Sequence, residues 1–429
     1  MDAAKSHTLN VAILNRKLAH EAWYNTFWSK ISGNTKITET NGIKQRMTAP
    51  NSAIQIMQEF VEEGRDNMLL PMLLDLTEVG VYGDAPLIGT GEEMALKYLR
   101  IYVNQYSKAV IKKSGNMANQ RLKLYNFMQQ AYPQLVKHFS KWNNQQVFQS
   151  FYEGINSPLS AVANDNGLGM YTRWHPNMYG LTAAGTLTTA GTAKYIKTAA
   201  EVGTLADGCD TVIEYKTFHA LRALNDTDLL IEPLLMEGGD PFTLFITNPF
   251  TYNLILQDTN IASAQNAVFT SKMSEHPLFT GREFMYYNGF AIIKDPIGIR
   301  TIDKDDSSGT DAELFYDLAA KNDDHAKGWM TACSTASTTA TGNLVIGKNA
   351  VAKGIAESLH FTTEEVDHKR TIEIGGAQID GYNRAEFFNA TDEALVFAAH
   401  TGTVKASYTA AKAAINQSSA ILWTANAAS

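Results

Sequence analysis

Residues Gly342 to Lys348 fit the phosphate-binding spacing G-x-x-x-x-G-K. In that motif a glycine loop aims backbone N–H groups at a phosphate. A lysine reaches the outer phosphates, and a following Ser or Thr holds Mg²⁺. Here the following residue is Asn349, and the spacer Leu344, Val345, Ile346 is strand-like rather than flexible. The stretch therefore reads as strand, turn at Gly347, and then a helix through Glu357. Gly89, Thr90 and Gly91 carry two glycines without a strand-to-helix GxGxxG frame, and read as a turn. His360 and His368 are the nearest of ten scattered histidines, too far apart for one helical turn, and no Cys/His cluster has zinc spacing. No G-x-S-x-G elbow or H-E-x-x-H helix is present. Asp305-Asp306 and Asp323-Asp324 lie in polar stretches and read as solvated faces. No catalytic residue, metal site or cofactor is assigned, and the chain is read as a non-enzyme.

What remains suits contact rather than chemistry. Tyr98, Arg100 and Tyr102 alternate with Leu99, Ile101 and Val103, the period-two pattern of a strand. Lys108, Lys112 and Lys113 follow, with Arg121 and Lys123 beyond them. The plain reading of the basic cluster is a solvated strand end and helix start; the functional one is a set of inter-subunit salt bridges. Tyr98, Arg100, Tyr102, Lys108, Lys112, Lys113 and Arg121 are the candidate inter-subunit contacts.

Two elements must position these residues. The segment 79–116 reads as a long β-arm around a Gly/Asp/Pro-rich turn at 83–91. It has few strictly apolar positions, so it either finds its partner outside its own domain or forms an internal hairpin with one wet face. The segment 117–153 reads as one long amphipathic helix. Leu122, Tyr125, Met128, Tyr132, Leu135, Val136, Phe139 and Trp142 fall three or four apart, and Val147, Phe148, Phe151 and Tyr152 continue after a slip of register. Ser114, Gly115 and Asn116 offer a cap, Gly154 and Pro158 a stop, and Pro133 a kink. At 1.5 Å per residue it spans roughly 50 Å, which implies an elongated protomer.

Around this pair, 9–31 is amphipathic and suits a helix packed on a partner or on its own body. Residues 33–52 read as an extended polar connector, and 53–78 lack clear periodicity. Residues 182–193 read as a loop or flexible tip, and 211–224 as a helix. Residues 242–247 read as a buried strand, with Asn248 and Pro249 starting a helix through Gln257. Glu283–Lys294 reads as a hairpin turning at Asn288-Gly289. The segment 370–380 alternates, with a bend expected at Gly375-Gly376, and 403–429 reads as a loose tail or assembly arm.

The chain has 429 residues, a net charge of -8 and 45% hydrophobic residues. That length and hydrophobic content support two or three domains with real cores. An acidic chain lacks the Lys/Arg-rich footprint of a nucleic-acid binder. Cys209 and Cys333 are its only cysteines, which argues for a reducing compartment and against a disulfide framework. The N-terminus lacks the pattern of a signal peptide, and no run of about 18 apolar residues is present to span a membrane.

The order of arm, β-arm, long helix, mixed α/β body and returning strands resembles the major capsid proteins of tailed bacteriophages, with their Hong Kong 97-type fold. GTGEEMALKYLRIYVNQYSKAV (89–110) and MANQRLKLYNFMQQAYPQLVKHFSKW (117–142) are similar to the E-loop and spine helix of one large phage branch. HPLFTGREFMYYNGFAIIKDP (276–296) resembles its "PLFTG … YNG" hairpin, the most specific match. FTLFITNPFTYNLILQD (242–258), NLVIGKNAVAKGIAE (343–357) and RTIEIGGAQIDGYNRAEF (370–387) resemble three further segments. The Gly/Thr/Ala insertion near 182–206 departs from the pattern.

The resemblance implies an α+β fold with an N-terminal arm (1–78), an E-loop (79–116), a P-domain carrying the spine helix (117–228), an A-domain (229–360), and returning P-domain strands with a tail (361–429). It implies self-assembly as hexamers and pentamers into an icosahedral head around double-stranded DNA, without sequence-specific DNA binding and without a membrane. Portal, scaffolding and possible decoration proteins would be the partners, with the scaffold a separate chain, and assembly would take place in the host cytoplasm. Two other classes stand beside this one: a minor virion or connector protein, and a nucleotide-binding enzyme resting on Gly342–Asn349.

Overall fold

The computed structural model describes residues 17–18, 21–40, 43–47, 49, 51–58, 67–73, 96–112, 127–153, 175, 177–181, 186–188, 211–235, 240–268, 284–295, 298–303, 339–366, 371–387 and 416–425. The chain first forms β1 (Ser32–Asn34), β2 (Lys36–Thr40), β3 (Ile43–Met47), β4 (Ile54–Met57), β5 (Asn67–Leu73), β6 (Leu96–Tyr102) and β7 (Asn104–Lys112). Helix α1 (Phe127–Glu153) follows, then β8 (Met178–Leu181), β9 (Leu187–Thr188), α2 (Tyr215–Leu224), β10 (Leu234–Leu235) and β11 (Pro241–Thr247). Next come α3 (Pro249–Gln257), α4 (Thr259–Val268), β12 (Phe284–Tyr287), β13 (Phe290–Lys294), β14 (Arg300–Asp303) and β15 (Thr339–Ile346). The chain closes with β16 (Val351–Val366), β17 (Thr371–Arg384) and β18 (Ser419–Ala425).

Two sheets carry the fold. A five-stranded sheet runs β1-β4-β16-β17-β7, with the long antiparallel hairpin β16–β17 at its centre. A nine-stranded sheet runs β12-β13-β11-β15-β18-β8-β9, with β10 on β11 and β14 on β15. Helix α1 joins them, and the slip in its apolar pattern marks the crossing. Ala131, Leu135, Val136 and Phe139 pack with Leu359, Phe361 and Ile374 of the hairpin. Val147, Phe148, Phe151 and Tyr152 enter a different cluster with Leu244, Ile246, Leu344 and Trp423 of the larger sheet. A helix that buries two faces on two sheets needs two apolar stripes, and the slip supplies them. The helix continues through Pro133, which is exposed.

Several local expectations hold. Asn248 caps α3, its Oδ1 accepting from Thr251 N–H at 2.7 Å, with Pro249 in the first turn. Asn288 and Gly289 take φ values of 50° and 84°, the left-handed pair that a two-residue turn between β12 and β13 requires. Residues 215–224 form α2.

Others are corrected. The helix expected from Gly347 through Glu357 is strand β16. Val351 to Gly354 pair on one side with β4 and on the other with β17, and this long-range pairing overrides the helix propensity of Ala and Lys. Gly375 and Gly376 make no break in the ladder, facing Thr362 and Phe361 in register. The irregularity sits on β16, between Ile355 and His360. The tail is neither loose nor peripheral: β18 lies between β15 and β8 with every residue buried. Residues 33–52 are not a plain connector but contain β1's end and the β2–β3 hairpin. The two limbs of the expected β-arm part company: β6 pairs with β5, which lies in the supposed N-terminal arm, while β7 pairs with β17 in the chain's own sheet. Phe27, Trp28 and Ile31 of the N-terminal segment are buried in the main core, so that segment packs on its own body.

Candidate assembly surface

The β5–β6 hairpin forms a sheet of its own, antiparallel from Asn67↔Tyr102 to Leu73↔Leu96. One of its faces is anchored as far out as Lys97, which is buried. Leu99, Ile101 and Val103 bury with Met57 and Ala352, with Leu70 packed against them. The Arg100 carbonyl accepts from Asn383 Nδ2 at 2.8 Å. Gly381 lets β17 approach so closely that a Cβ there would collide with the Tyr102 carbonyl. On the opposite face, Leu69 and Leu96 are 42% and 45% exposed.

Strand β7 is the edge of the five-stranded sheet, and α1 locks its inner face. Tyr106 stacks on Trp142 at 3.8 Å between ring centroids, and its hydroxyl lies 2.7 Å from His138 Nε2. Burial pushes the Tyr106 phenol up to about 12. Burial, then the nearby Lys108 and Lys141 charges, hold the His138 imidazole below its usual value. A neutral His138 therefore accepts from the tyrosine hydroxyl. The outer face of β7 exposes Gln105, Ser107 and Ala109, with Ile111 49% exposed.

The candidate contacts thus separate. Tyr98 and Arg100 are half-buried on β6, opposite Pro71 and Leu69. Tyr102 is buried within its own chain, at the hairpin base. Lys108 is exposed on β7, opposite Gly376, and Lys112 ends that strand opposite Ile372. Lys113 and Arg121 lie outside the described residues, as does the Gly89–Gly91 turn.

Sequence reasoning missed the charged residues under the surface. Arg384 and Glu386 form a fully buried pair at 2.7 Å, and Arg384 Nη1 donates to the Phe151 carbonyl at 3.1 Å. A guanidinium at the last turn of α1 meets carbonyls that have no helical partner. Lys353, Asp380 and Tyr382 form a second buried group beside Trp23 and Asn143. Their signal was present: Gln378 to Glu386 alternates polar residues with small and apolar ones inside a strand, so one polar set had to face a core.

The phosphate-loop spacing has no phosphate-loop geometry. Gly347 N–H donates to the Ser418 carbonyl, Lys348 N–H to that of Glu232 and Asn349 N–H to that of Ser52, at 2.8, 2.8 and 2.9 Å. The amides a phosphate would need are occupied by the fold, and Lys348 Nζ pairs with Glu232 at 3.6 Å. Among the described residues no group of three or more His, Cys, Asp or Glu side chains gathers as a metal would need.

A long helix laid across a long hairpin, two sheets and a hairpin arm held at its base define a subunit of the Hong Kong 97-type shell fold. The chain is similar to the capsid of cyanophage Pam1, with a TM-score of 0.56 at 14% identity, covering 89% of this chain and 90% of that one. It is similar to the capsid of Ralstonia phage GP4, with a TM-score of 0.57 at 13% identity, covering 93% and 90%. The acid-stable capsid of Helicobacter pylori bacteriophage KHP30 gives 0.55 at 12%, covering 94% and 91%. No curated protein sequence matches the chain. The family described as phage capsid protein matches residues 24–411, so the chain belongs to that family. It is a major capsid protein, the subunit that forms the phage head.

Proposed function

We propose that this capsid protein assembles as hexamers and pentamers into an icosahedral shell, tied together by the β5–β6 hairpin lying on a neighbouring subunit. The observation that carries this is the hairpin's one-sided anchorage: Leu70, Leu99 and Ile101 pack inward on one face, while Leu69 and Leu96 on the other are left to solvent. A two-stranded ribbon is marginal alone, and a neighbour's surface supplies the missing burial. The shell encloses double-stranded DNA without reading its sequence. The net charge of -8 supports containment rather than grip. Portal, scaffolding and decoration proteins are its expected partners, and the host cytoplasm its place of assembly. It carries out no catalysis in this reading.

Cryo-electron microscopy of the purified protein under assembly conditions tests this. Closed shells of six- and five-fold capsomers, with the Leu69 and Leu96 face of the hairpin covered by the adjacent subunit, are expected. A discrete small ring, or a hairpin whose Leu69 and Leu96 face touches no adjacent subunit, would overturn it.

A further inference from the structure

A cleft of about 640 Å³ opens between the N-terminal segment, β16 and α1, and Lys353 and Asp380 line it. Lys353 stands opposite Tyr382 in the β16–β17 ladder and Asp380 opposite Ile355, so the lysine reaches the carboxylate diagonally across the strands. Nζ lies 3.6 Å from Asp380 Oδ2, and the two side chains are 6% and 8% exposed. Aromatic rings enclose the amine, with Trp23 at 3.9 Å and Tyr382 at 5.0 Å from Nζ to the ring centroids. Two further donors converge on the same oxygen: Tyr382 O–H at 2.9 Å and Gln378 Nε2 at 3.3 Å. Asn143 Oδ1 borders both donors from the helix side, accepting from Gln378 Nε2 at 2.8 Å and lying 3.3 Å from the Tyr382 hydroxyl oxygen, whose single proton goes to the nearer Asp380.

We propose that Lys353 and Asp380 condense into an isopeptide bond within one chain, with Tyr382 and Gln378 stabilising the oxygen that becomes negative. The amine and the carboxyl are side by side, and two donors sit on the one oxygen where negative charge would develop as an amide forms. Burial lowers the Lys353 amine and raises the Asp380 carboxyl, favouring the uncharged amine–acid form of the pair. In that form the Nζ lone pair attacks Asp380 Cγ, and the carbonyl electron pair moves onto Oδ2. Tyr382 and Gln378 hold that oxyanion, as an oxyanion hole does. A proton passes from the new N⁺ to the Oδ1 hydroxyl, the Cγ–Oδ1 bond breaks, and water leaves into the cleft. Oδ2 then re-forms the carbonyl. One N–C bond forms, one C–O bond breaks and one water is released, with no oxidant or cofactor. The bond would close a covalent ring through the end of the β16–β17 hairpin, which carries α1. It stands independently of the shell-forming reading.

The test is the mass of the purified full chain, measured after denaturation. A deficit of one water from the sequence mass is expected, with a branched proteolytic peptide joining Lys353 to Asp380. In Asp380→Asn the same attack expels ammonia instead, so its product should match the mass of the bonded wild type. Lys353→Arg keeps the charge and should show its full sequence mass, folded or not. A wild-type chain at full sequence mass would overturn the proposal. So would a one-water deficit that maps to any other residue.

Discussion

Gly376 on β17 faces Phe139 on α1 so closely that a Cβ added there would lie 2.7 Å from Phe139 Cε2 and 2.9 Å from Phe361 Cε1. The long helix rests on the hairpin at this point. The glycine pair that reads in the sequence as a bend is instead a seat for the helix.

Gly376→Ala should therefore destabilise the protomer by about 1–3 kcal/mol, the usual range for overpacking a full core. Its neighbour supplies the control. A Cβ at Gly375 meets only Thr362 Oγ1, at 3.4 Å, so Gly375→Ala should stay within about 0.5 kcal/mol of wild type. Urea unfolding of the two variants decides it. Equal effects would show that the helix does not bear on Gly376.

The C-terminal strand carries a second expectation. Trp423 is fully buried, with its ring over Gly342 of β15, where a Cβ would lie 2.9 Å from the indole. Trp423→Ala should cost about 3–5 kcal/mol, the range for removing a buried aromatic. Removing residues 419–429 should leave one edge each of β15 and β8 unpaired, split the sheet between them and make the protein insoluble. A soluble truncated chain with native near-UV circular dichroism would show that β18 is dispensable.

These two sites show where the sequence was legible. Asn248-Pro249 and Asn288-Gly289 work through contacts a few residues long, and both were read correctly. The apolar stripes of α1 were also legible, down to the slip at its crossing between sheets. Strand β18 was not. Its seven buried residues follow a long Ala/Ser/Thr stretch, and only pairing with β15, more than 70 residues earlier in the chain, makes them a strand. The same holds for Val351–Gly354, whose local preference is helical and whose partners are β4 and β17. The assembly surface was half legible. The alternation of Leu99 and Ile101 identified β6, but its partner β5 lies across residues 74–95 and shows no periodicity of its own.

Acid should loosen the seat of β7. The folded imidazole of His138 titrates below its ordinary value of 6.5, mainly because it is buried. Below about that value the unfolded chain binds a proton that the folded chain resists, so stability rises with pH there and falls toward acid. The contribution is full above the ordinary value and disappears as the pH drops through the folded one. His138→Gln removes the titration, so its stability should depend less steeply on pH on the acid side. Denaturation midpoints for both proteins across that range would show it. Parallel curves would mean that another group sets the acid limb.

The last expectation concerns the arm, and the structure dictates where to cut it. Removing residues as far as Gln105 would take out Leu99, Ile101 and Val103, which are core. Met72 and Lys97 are ladder partners, so removing 72–97 and joining Pro71 to Tyr98 with a short Gly/Ser linker keeps the anchored base intact. That protomer loses the exposed Leu96 and everything beyond it, while Asn383 still donates to the Arg100 carbonyl. It should be soluble, with near-normal secondary structure, because Leu70, Leu99, Ile101 and Val103 stay in place. It should also fail to close shells, because a hexamer without its overlapping ribbons loses the burial that a neighbour supplies. Circular dichroism and sedimentation of one sample separate the outcomes. A folded protein sedimenting as protomers or capsomers supports the arm as the tie between subunits. An unfolded protein places the arm in its own core, and particles of normal size place the tie elsewhere, on the exposed outer face of β7 with Ile111.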